Sequence, residues 1–256
     1  LVSGATGVIG AELFQLDFAD SYLPAYRQDG FDILDEYQFL SAIERVADKC
    51  DSLVHLAAYT DVSSAHHDHG NKVGACYQVN VEGTKNVEKA CREFGLHMIH
   101  VSTDFVFSGE KSEPWNEGDE TNPIEWYGET KLLAENYLRE HATDWTILRI
   151  AYPFLQNGGV SPDLVSTIRQ KLASDEILKL FSDQTITPTP IQDILSAIKN
   201  FSEIRPQKEI FHVVGNDSLS PWELGMLIAE ANNADTQQIE ESSLAEYLKV
   251  DTRPRH

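Results

Sequence analysis

The sequence predicts a doubly wound α/β fold, a parallel sheet with helices on both faces, followed by a smaller, discontinuous C-terminal lobe. Three observations carry that expectation. Over the first 155 residues, strand-like apolar runs alternate with segments whose apolar residues recur every three or four positions. The strand-like runs, "SLVHLAAY" and "MIHVSTDFVF" among them, are nearly continuous in apolar residues, as strands buried on both faces require. A glycine-rich turn, "GATGVIG", separates the first strand from the first helix.

In order, "LVS" ends the first strand and the first helix begins after Gly10. "YLPAYR" supplies a second strand, and "EYQFLSAIERVA" a helix carrying Phe39, Leu40, Ile43 and Val46 on one face. "SLVHLAAY" is the next strand. A long helix from Ala75 to Phe94 repeats Cys76, Val79, Gly83, Val87, Ala90 and Phe94 at steps of three or four. "MIHVSTDFVF" follows, counted as the fifth strand, then a helix around Tyr127 and the strand "TILRIAY", counted as the sixth. After Pro153 the alternation loosens. "LQNGGVSP" reads as loop, "PDLVSTIRQKLA" as helix, "ILKLFSD" as a short strand and "TPTPIQDILSAIKNF" as a proline-capped helix. "EIFHVVG" is expected to rejoin the main sheet, and "SPWELGMLIAEA" is a helix with Ser220 as N-cap and Pro221 at its first position. The opening "LVS" reads as the tail of a strand, and both termini are expected to continue beyond this sequence.

Composition narrows the function classes. Of 256 residues, 41% are hydrophobic, enough for one large domain with a lobe. No run of about 18 apolar residues appears, so no membrane-spanning helix is expected. Asp and Glu number 41 against 20 Lys and Arg, a formal charge of −21 that disfavours nucleic acid and anionic membranes as partners. An anionic ligand would need local positive potential. Cys50, Cys76 and Cys91, odd in number and without CxxC spacing, point to a reducing cytoplasm. His66, His67, Asp68 and His69 invite a metal reading, but a polar loop or helix start explains them better, and no metal is expected.

Gly4, Gly7 and Gly10 have the spacing GxxGxxG. Glycine lets the backbone turn sharply and a pyrophosphate come close, while the helix N-terminus offers N–H donors. Placed at the start of a βαβ pattern, the turn implies a Rossmann-like dinucleotide site over residues 1–154, with 188–216 rejoining it; 155–187 and 217–256 form the substrate lobe. Arg27 near the end of the second strand leans toward NADP, and Asp29 keeps NAD open. Asp32 either contacts the adenine or caps the helix beyond it.

Ser102, Thr103 and Asp104 end a strand at the edge where ligands of open α/β sheets bind. Tyr127 and Lys131, four apart on a helix, are spatial neighbours. Together they form a set suited to carbonyl reduction. A hydroxyl holds the carbonyl, a phenol gives its proton, and an ammonium stabilises the phenolate.

On these motifs the chain resembles the extended short-chain dehydrogenase/reductase superfamily. More narrowly it is similar to the dTDP-4-dehydrorhamnose reductase family, through "HLAAYTDVSSA", "VNVEGTKNV", "STDFVFSG", "YGETKLLAE", "DQTITPTPIQDI" and "TRPRH". The resemblance implies an NAD(P)H-dependent reduction of a nucleotide-linked 4-keto-6-deoxy sugar, with NADP preferred, and a homodimer is compatible with it. It implies Thr103, Tyr127 and Lys131 as catalytic residues. Gly4, Thr6, Gly7, Val8, Ile9, Arg27, Asp32, Ile33, Ala57, Ala58, Tyr59, Asn80 and Ser102, with Tyr127 and Lys131, are implied for the cofactor. Thr60, Val62, Asp104, Phe105, Tyr152, Gln184, Thr189 and Arg253 are implied for the sugar nucleotide. Phe105, Ser108 and Tyr152 depart from the family's usual residues, which bears on the choice of sugar. Dehydratases carry a glutamate where Phe105 stands, so loss of water is not expected. A sugar-nucleotide epimerase, and a regulatory subunit like the β subunit of methionine adenosyltransferase, are the alternatives.

Overall fold

A computed structural model describes residues 1–16, 19–111, 113–156, 163–174 and 176–250. The chain forms two compact units, one of residues 1–149 and 195–212, the other of residues 150–194 and 213–256.

The first unit opens with β1 (Val2–Ser3), α1 (Val8–Leu13), β2 (Pro24–Ala25), α2 (Glu36–Glu44), β3 (Ser52–His55) and α3 (Val62–His67). Next come α4 (Ala75–Tyr77), a π-helical turn (Gln78–Glu82), α5 (Gly83–Phe94), β4 (His97–Thr103), α6 (Trp126–His141) and β5 (Trp145–Ile150). The second unit adds β6 (Pro153–Phe154), α7 (Leu164–Ala173), β7 (Leu178–Phe181) and β8 (Thr189–Pro190). Then follow α8 (Ile191–Ile204) and β9 (Glu209–Val213), both spanning a unit boundary, and α9 (Pro221–Ala231), β10 (Ile239–Ser242) and α10 (Leu244–Val250).

The main sheet has the order β2-β1-β3-β4-β5-β9, with β1 parallel to β2 and β3, and β3 parallel to β4. The chain runs one way from β1 to β2 and the other way from β1 to β3. A crevice therefore opens at the carboxyl ends of β1 and β3, the switch point of such sheets. β9 rejoins this sheet, as "EIFHVVG" implies.

Leu53, Met98 and Ile147 sit in one core with Phe39 and Ile43 of α2, Val87, Ala90 and Cys91 of α5, and Leu138 of α6. Val54, Ile99 and Leu148, next along each strand, point to the opposite face and are also fully buried. Both faces are thus covered, which is why these strands read as unbroken apolar runs.

Several elements differ from their sequence-based expectation. The first helix begins at Val8, before Gly10, because the chain turns at Gly4 and enters the helix at once. β3 stops at His55, since the residues after it leave the sheet to line the crevice. "MIHVSTDFVF" is the fourth strand and ends at Thr103, beyond which Asp104–Val106 form a 3₁₀ turn; "TILRIAY" contains the fifth. The cap of α2 is Asp35, whose carboxylate accepts from the Gln38 N–H, and Asp32 does not fill that place. The expected helix from Ala75 to Phe94 is interrupted by the π turn. "LQNGGVSP" lies largely outside the described residues.

In the second unit, α7 and α9 pack Val165, Ile168, Leu172, Ile228 and Ala229 against Leu178, Leu180 and Ile239 of the parallel pair β7–β10. Ser220 and Glu223 form a reciprocal capping box at the start of α9, with Pro221 at its first position.

Beneath β4, Glu135 of α6 and Arg149 of β5 form a buried two-pronged ion pair, 3.0 and 2.7 Å from Nε and Nη2. Removing one partner strands the other charge in the core. Arg149→Met is expected to cost about 3–5 kcal/mol of unfolding free energy, and adding Glu135→Gln to recover part of it. Urea titration of the two variants and the wild type measures both.

Candidate active site

The cofactor-type cavity forms where β1 and β3 diverge. About 430 Å³ in volume, it is lined by Gly4, Thr6 and Gly7, by Arg27, Asp32 and Ile33, and by Ala57 and Ala58. Gly4 adopts φ +73°, and a Cβ there would lie 2.5 Å from the Ala57 nitrogen. A Cβ on Gly10 would lie 2.4 Å from the Gly4 carbonyl. Only glycine lets the turn, the helix and the end of β3 come this close. The resulting cradle suits an adenosine diphosphate moiety, with the first turn of α1, including Val8 and Ile9, behind it. Arg27 and Asp32 form an exposed ion pair with Nε 2.6 Å from the carboxylate. Asp32 also accepts from the Leu34 N–H at 3.0 Å. Tyr26, Phe31, Leu34 and Val79 also line the cavity and were not singled out in the sequence. Their signal was faint, an apolar residue beside each predicted contact.

The second cluster lies at the end of β4. Thr103 Oγ1 donates to Asp104 at 3.0 Å and accepts from the Phe105 N–H at 3.2 Å. The Thr103 hydroxyl lies beside the Tyr127 phenol and favours its ionised form. The Phe105 ring meets the Tyr127 ring edge-on, centroids 5.6 Å apart. Glu125 caps α6 by accepting from the N–H groups of Tyr127 and Gly128, which fixes the phenol-bearing turn. A Cβ on Gly128 would lie 2.2 Å from the Phe105 carbonyl, so glycine is required for α6 to reach the strand end. One turn on, Lys131 is buried, and its ammonium donates to the Val101 carbonyl at 2.8 Å and faces His100 Nε2 at 3.3 Å.

Asn80 links these clusters from the π turn, a distortion frequent at functional sites. Its amide accepts from the Tyr59 N–H at 2.8 Å, and donates to the Tyr59 carbonyl at 3.1 Å and to Thr130 Oγ1 at 3.0 Å. The loop Ala57–Ala58–Tyr59 is thereby tied to α6. Ser102 is placed differently from the others: its hydroxyl donates to Glu135 beneath the strand. Thr60 is exposed beside the cap of α3, and Val62 opens that helix with Asp61 as N-cap. Trp126 is buried with Ala65 and Cys76, a packing role. His66 and His67 end α3, and the His69 ring stacks on Trp126.

In the second unit, three residues expected near substrate converge. Gln184 Nε2 donates to the Tyr152 hydroxyl at 3.0 Å, and the Thr189 N–H donates to the Tyr152 carbonyl at 3.1 Å. Tyr152 is held at φ 40°, a left-handed conformation uncommon for a bulky residue and frequent at ligand sites. Arg253 lies outside the described residues.

Burial dominates the electrostatics. It pushes Asp104 up to about 6 and Glu125 up to about 7 against the backbone N–H groups that favour their charged forms. It pushes the Tyr127 phenol well above its ordinary value; the Thr103 hydroxyl opposes this, while Asp104, Glu125 and Cys76 add to it. Lys131 is pushed down to about 8, partly offset by Glu135.

The family model for the RmlD substrate binding domain matches residues 1–256. The chain belongs to this family. It is 28% identical to the dTDP-4-dehydrorhamnose reductase of Mycolicibacterium smegmatis, covering all of this chain and 76% of that protein. It is equally 28% identical to a probable low-salt glycan biosynthesis reductase of Haloferax volcanii, over 99% of this chain and 87% of the relative. A Clostridium acetobutylicum dTDP-4-dehydrorhamnose reductase structure superposes with a TM-score of 0.86 at 25% identity, covering 100% of this chain and 86% of that one. The Bacillus anthracis reductase, solved in complex with NADP, gives 0.87 at 24% identity, covering 96% and 84%. These likenesses agree with the resemblance read from the motifs.

Because Asp104 binds its proton more tightly when folded than the ordinary 3.8, its ionisation opposes folding as pH rises from about 4 through about 6. Asp104→Asn is expected to raise stability by about 1–3 kcal/mol at pH 8 and by much less at pH 4. Urea unfolding at the two pH values measures the difference.

Proposed function

We propose that the protein is an NADP-preferring reductase of a nucleotide-linked 4-keto-6-deoxy sugar. The observation that carries this reading is the placing of Tyr127 against the Thr103–Phe105 turn at the sheet end, in the unit that also holds a glycine-lined dinucleotide cradle. Family membership and the names of the relatives support the substrate class.

In this reading the first unit binds the dinucleotide and the second binds the sugar nucleotide. The N–H groups of the Gly4–Gly7 turn and α1 hold the pyrophosphate. Arg27, exposed at the cavity rim, meets a 2′-phosphate and lends positive charge that the acidic surface lacks. A bound nicotinamide supplies the hydride that reduces the sugar's carbonyl carbon. Thr103 orients the carbonyl, and Tyr127 gives its hydroxyl proton to the carbonyl oxygen, leaving an alcohol and a phenolate. The Lys131 ammonium holds the nicotinamide ribose and stabilises that phenolate. Asn80 holds the Tyr59 backbone and, through it, the loop beside the cofactor. Tyr152, Gln184 and Thr189 form the sugar-nucleotide contact in the second unit. Three free cysteines fit a cytoplasmic enzyme.

Tyr127→Phe is expected to lower kcat at least about 100-fold while leaving the Kd for NADPH within about threefold. Steady-state assays with dTDP-, UDP- and GDP-linked 4-keto sugars, with fluorescence titration of NADPH, test it. Unchanged turnover in that variant overturns the assignment.

A further inference from the structure

The ammonium of Lys131 has three hydrogens and no lone pair. Where it faces His100 Nε2 at 3.3 Å, the imidazole nitrogen must accept, so the ring proton sits on Nδ1. That Nδ1 is buried and has no hydrogen-bond partner among the described residues. His55 of β3 pairs with His100 in register, ring centroids 5.4 Å apart. The state of His55 follows from its partners. Thr84 gives its hydroxyl proton to the Asn80 carbonyl at 2.7 Å, so it accepts from His55 Nε2–H at 3.1 Å. Burial and the Lys131 charge keep His55 Nδ1 without a proton, so it accepts from Ser3 at 2.7 Å. Both rings are therefore neutral, and Lys131 faces an acceptor instead of a second cation.

We propose that His100 is a positioning residue: its neutral ring accepts a hydrogen bond from the Lys131 ammonium, fixing that group at the end of β4 and sustaining its charge. The inference rests on the reading that Lys131 serves Tyr127. A residue there for packing alone would not require a buried N–H without a partner, and leucine would fill the space without one. The orphaned Nδ1–H is the cost of presenting Nε2 to the lysine.

The groups facing Lys131 and His100 agree with this assignment. From α6 comes Glu135, whose charge is shared with Arg149; from β3 comes His55; from α4 comes Cys76. Burial and then the Lys131 charge hold His100 well below its ordinary value, with His55 adding to them. Burial and Lys131 push His55 down to about 3. Glu135 favours the Lys131 charge but is itself engaged by Arg149 and Ser102. A neutral acceptor on β4 is what remains to hold the ammonium beside the Val101 carbonyl.

The test is a ¹⁵N NMR titration of Lys131 Nζ, assigned by its loss in Lys131→Arg, in the wild type and in His100→Leu, His100→Asn and His100→Gln. Glutamine places an amide oxygen near the position of Nε2, whereas asparagine is too short and leucine has no acceptor. Losing the bond removes support from the charged form. His100→Leu and His100→Asn are therefore expected to titrate about one pH unit lower, and His100→Gln within about 0.3 unit of the wild type. The alkaline fall in kcat should move with them. If His100→Leu does not fold, His100→Asn decides. An unmoved titration in the folded short variants overturns the proposal. Wild-type protein that turns over no 4-keto sugar nucleotide overturns the functional reading instead, and the titration still reports on His100.

Discussion

The close approach of α6 to the end of β4 is the constraint on which the site depends. It sets Tyr127 beside Thr103 and Phe105, and Lys131 beneath the strand. Two features permit it. Gly128 leaves room for the Phe105 carbonyl, and Glu125 uses its carboxylate to fix the first turn of the helix. A side chain at Gly128 would push the phenol away from the threonine even if every chemical group were retained.

The same approach strips water from several ionisable groups at once. Asp104 and Glu125 are pushed up, and Lys131 is pushed down, by burial before any partner is considered. Such a cluster costs stability, and the buried Glu135–Arg149 pair adds a further unpaid desolvation. Catalytic sites commonly carry this pattern, because groups shifted toward neutrality exchange protons readily near neutral pH. The lysine is the instructive case. The proposed role needs its charge against a phenolate, yet its surroundings oppose that charge, so each hydrogen bond it makes bears on that role.

Much of this is legible in the sequence where chemistry and spacing coincide. GxxGxxG after a strand places the cradle, and the YxxxK spacing places Tyr127 and Lys131 one turn apart on α6. The alternating apolar runs place the parallel sheet, including the return of "EIFHVVG" to it. What stays hidden depends on contacts between distant segments. Nothing in "FDILD" distinguishes Asp32 as the partner of Arg27 from Asp35 as the helix cap, since both are aspartates near a helix start. Nothing in "VST" says that Ser102 turns down to Glu135 while Thr103 lies beside Tyr127. The π turn that aims Asn80 at Tyr59 leaves the apolar spacing of its segment nearly unchanged. His100 reads as one more residue of a buried strand until Lys131 is seen beside it.

The central claim is that hydride from a nicotinamide reaches a sugar carbonyl as this site supplies the proton. Mass spectrometry of the product formed from a nucleotide-linked 4-keto-6-deoxy sugar and NADPH deuterated at the transferable position tests it most directly. The account predicts one deuterium bound to carbon 4 of the sugar and one NADPH oxidised per product. A product that lacks the label, or an epimerised sugar formed with no NADPH consumed, would contradict it.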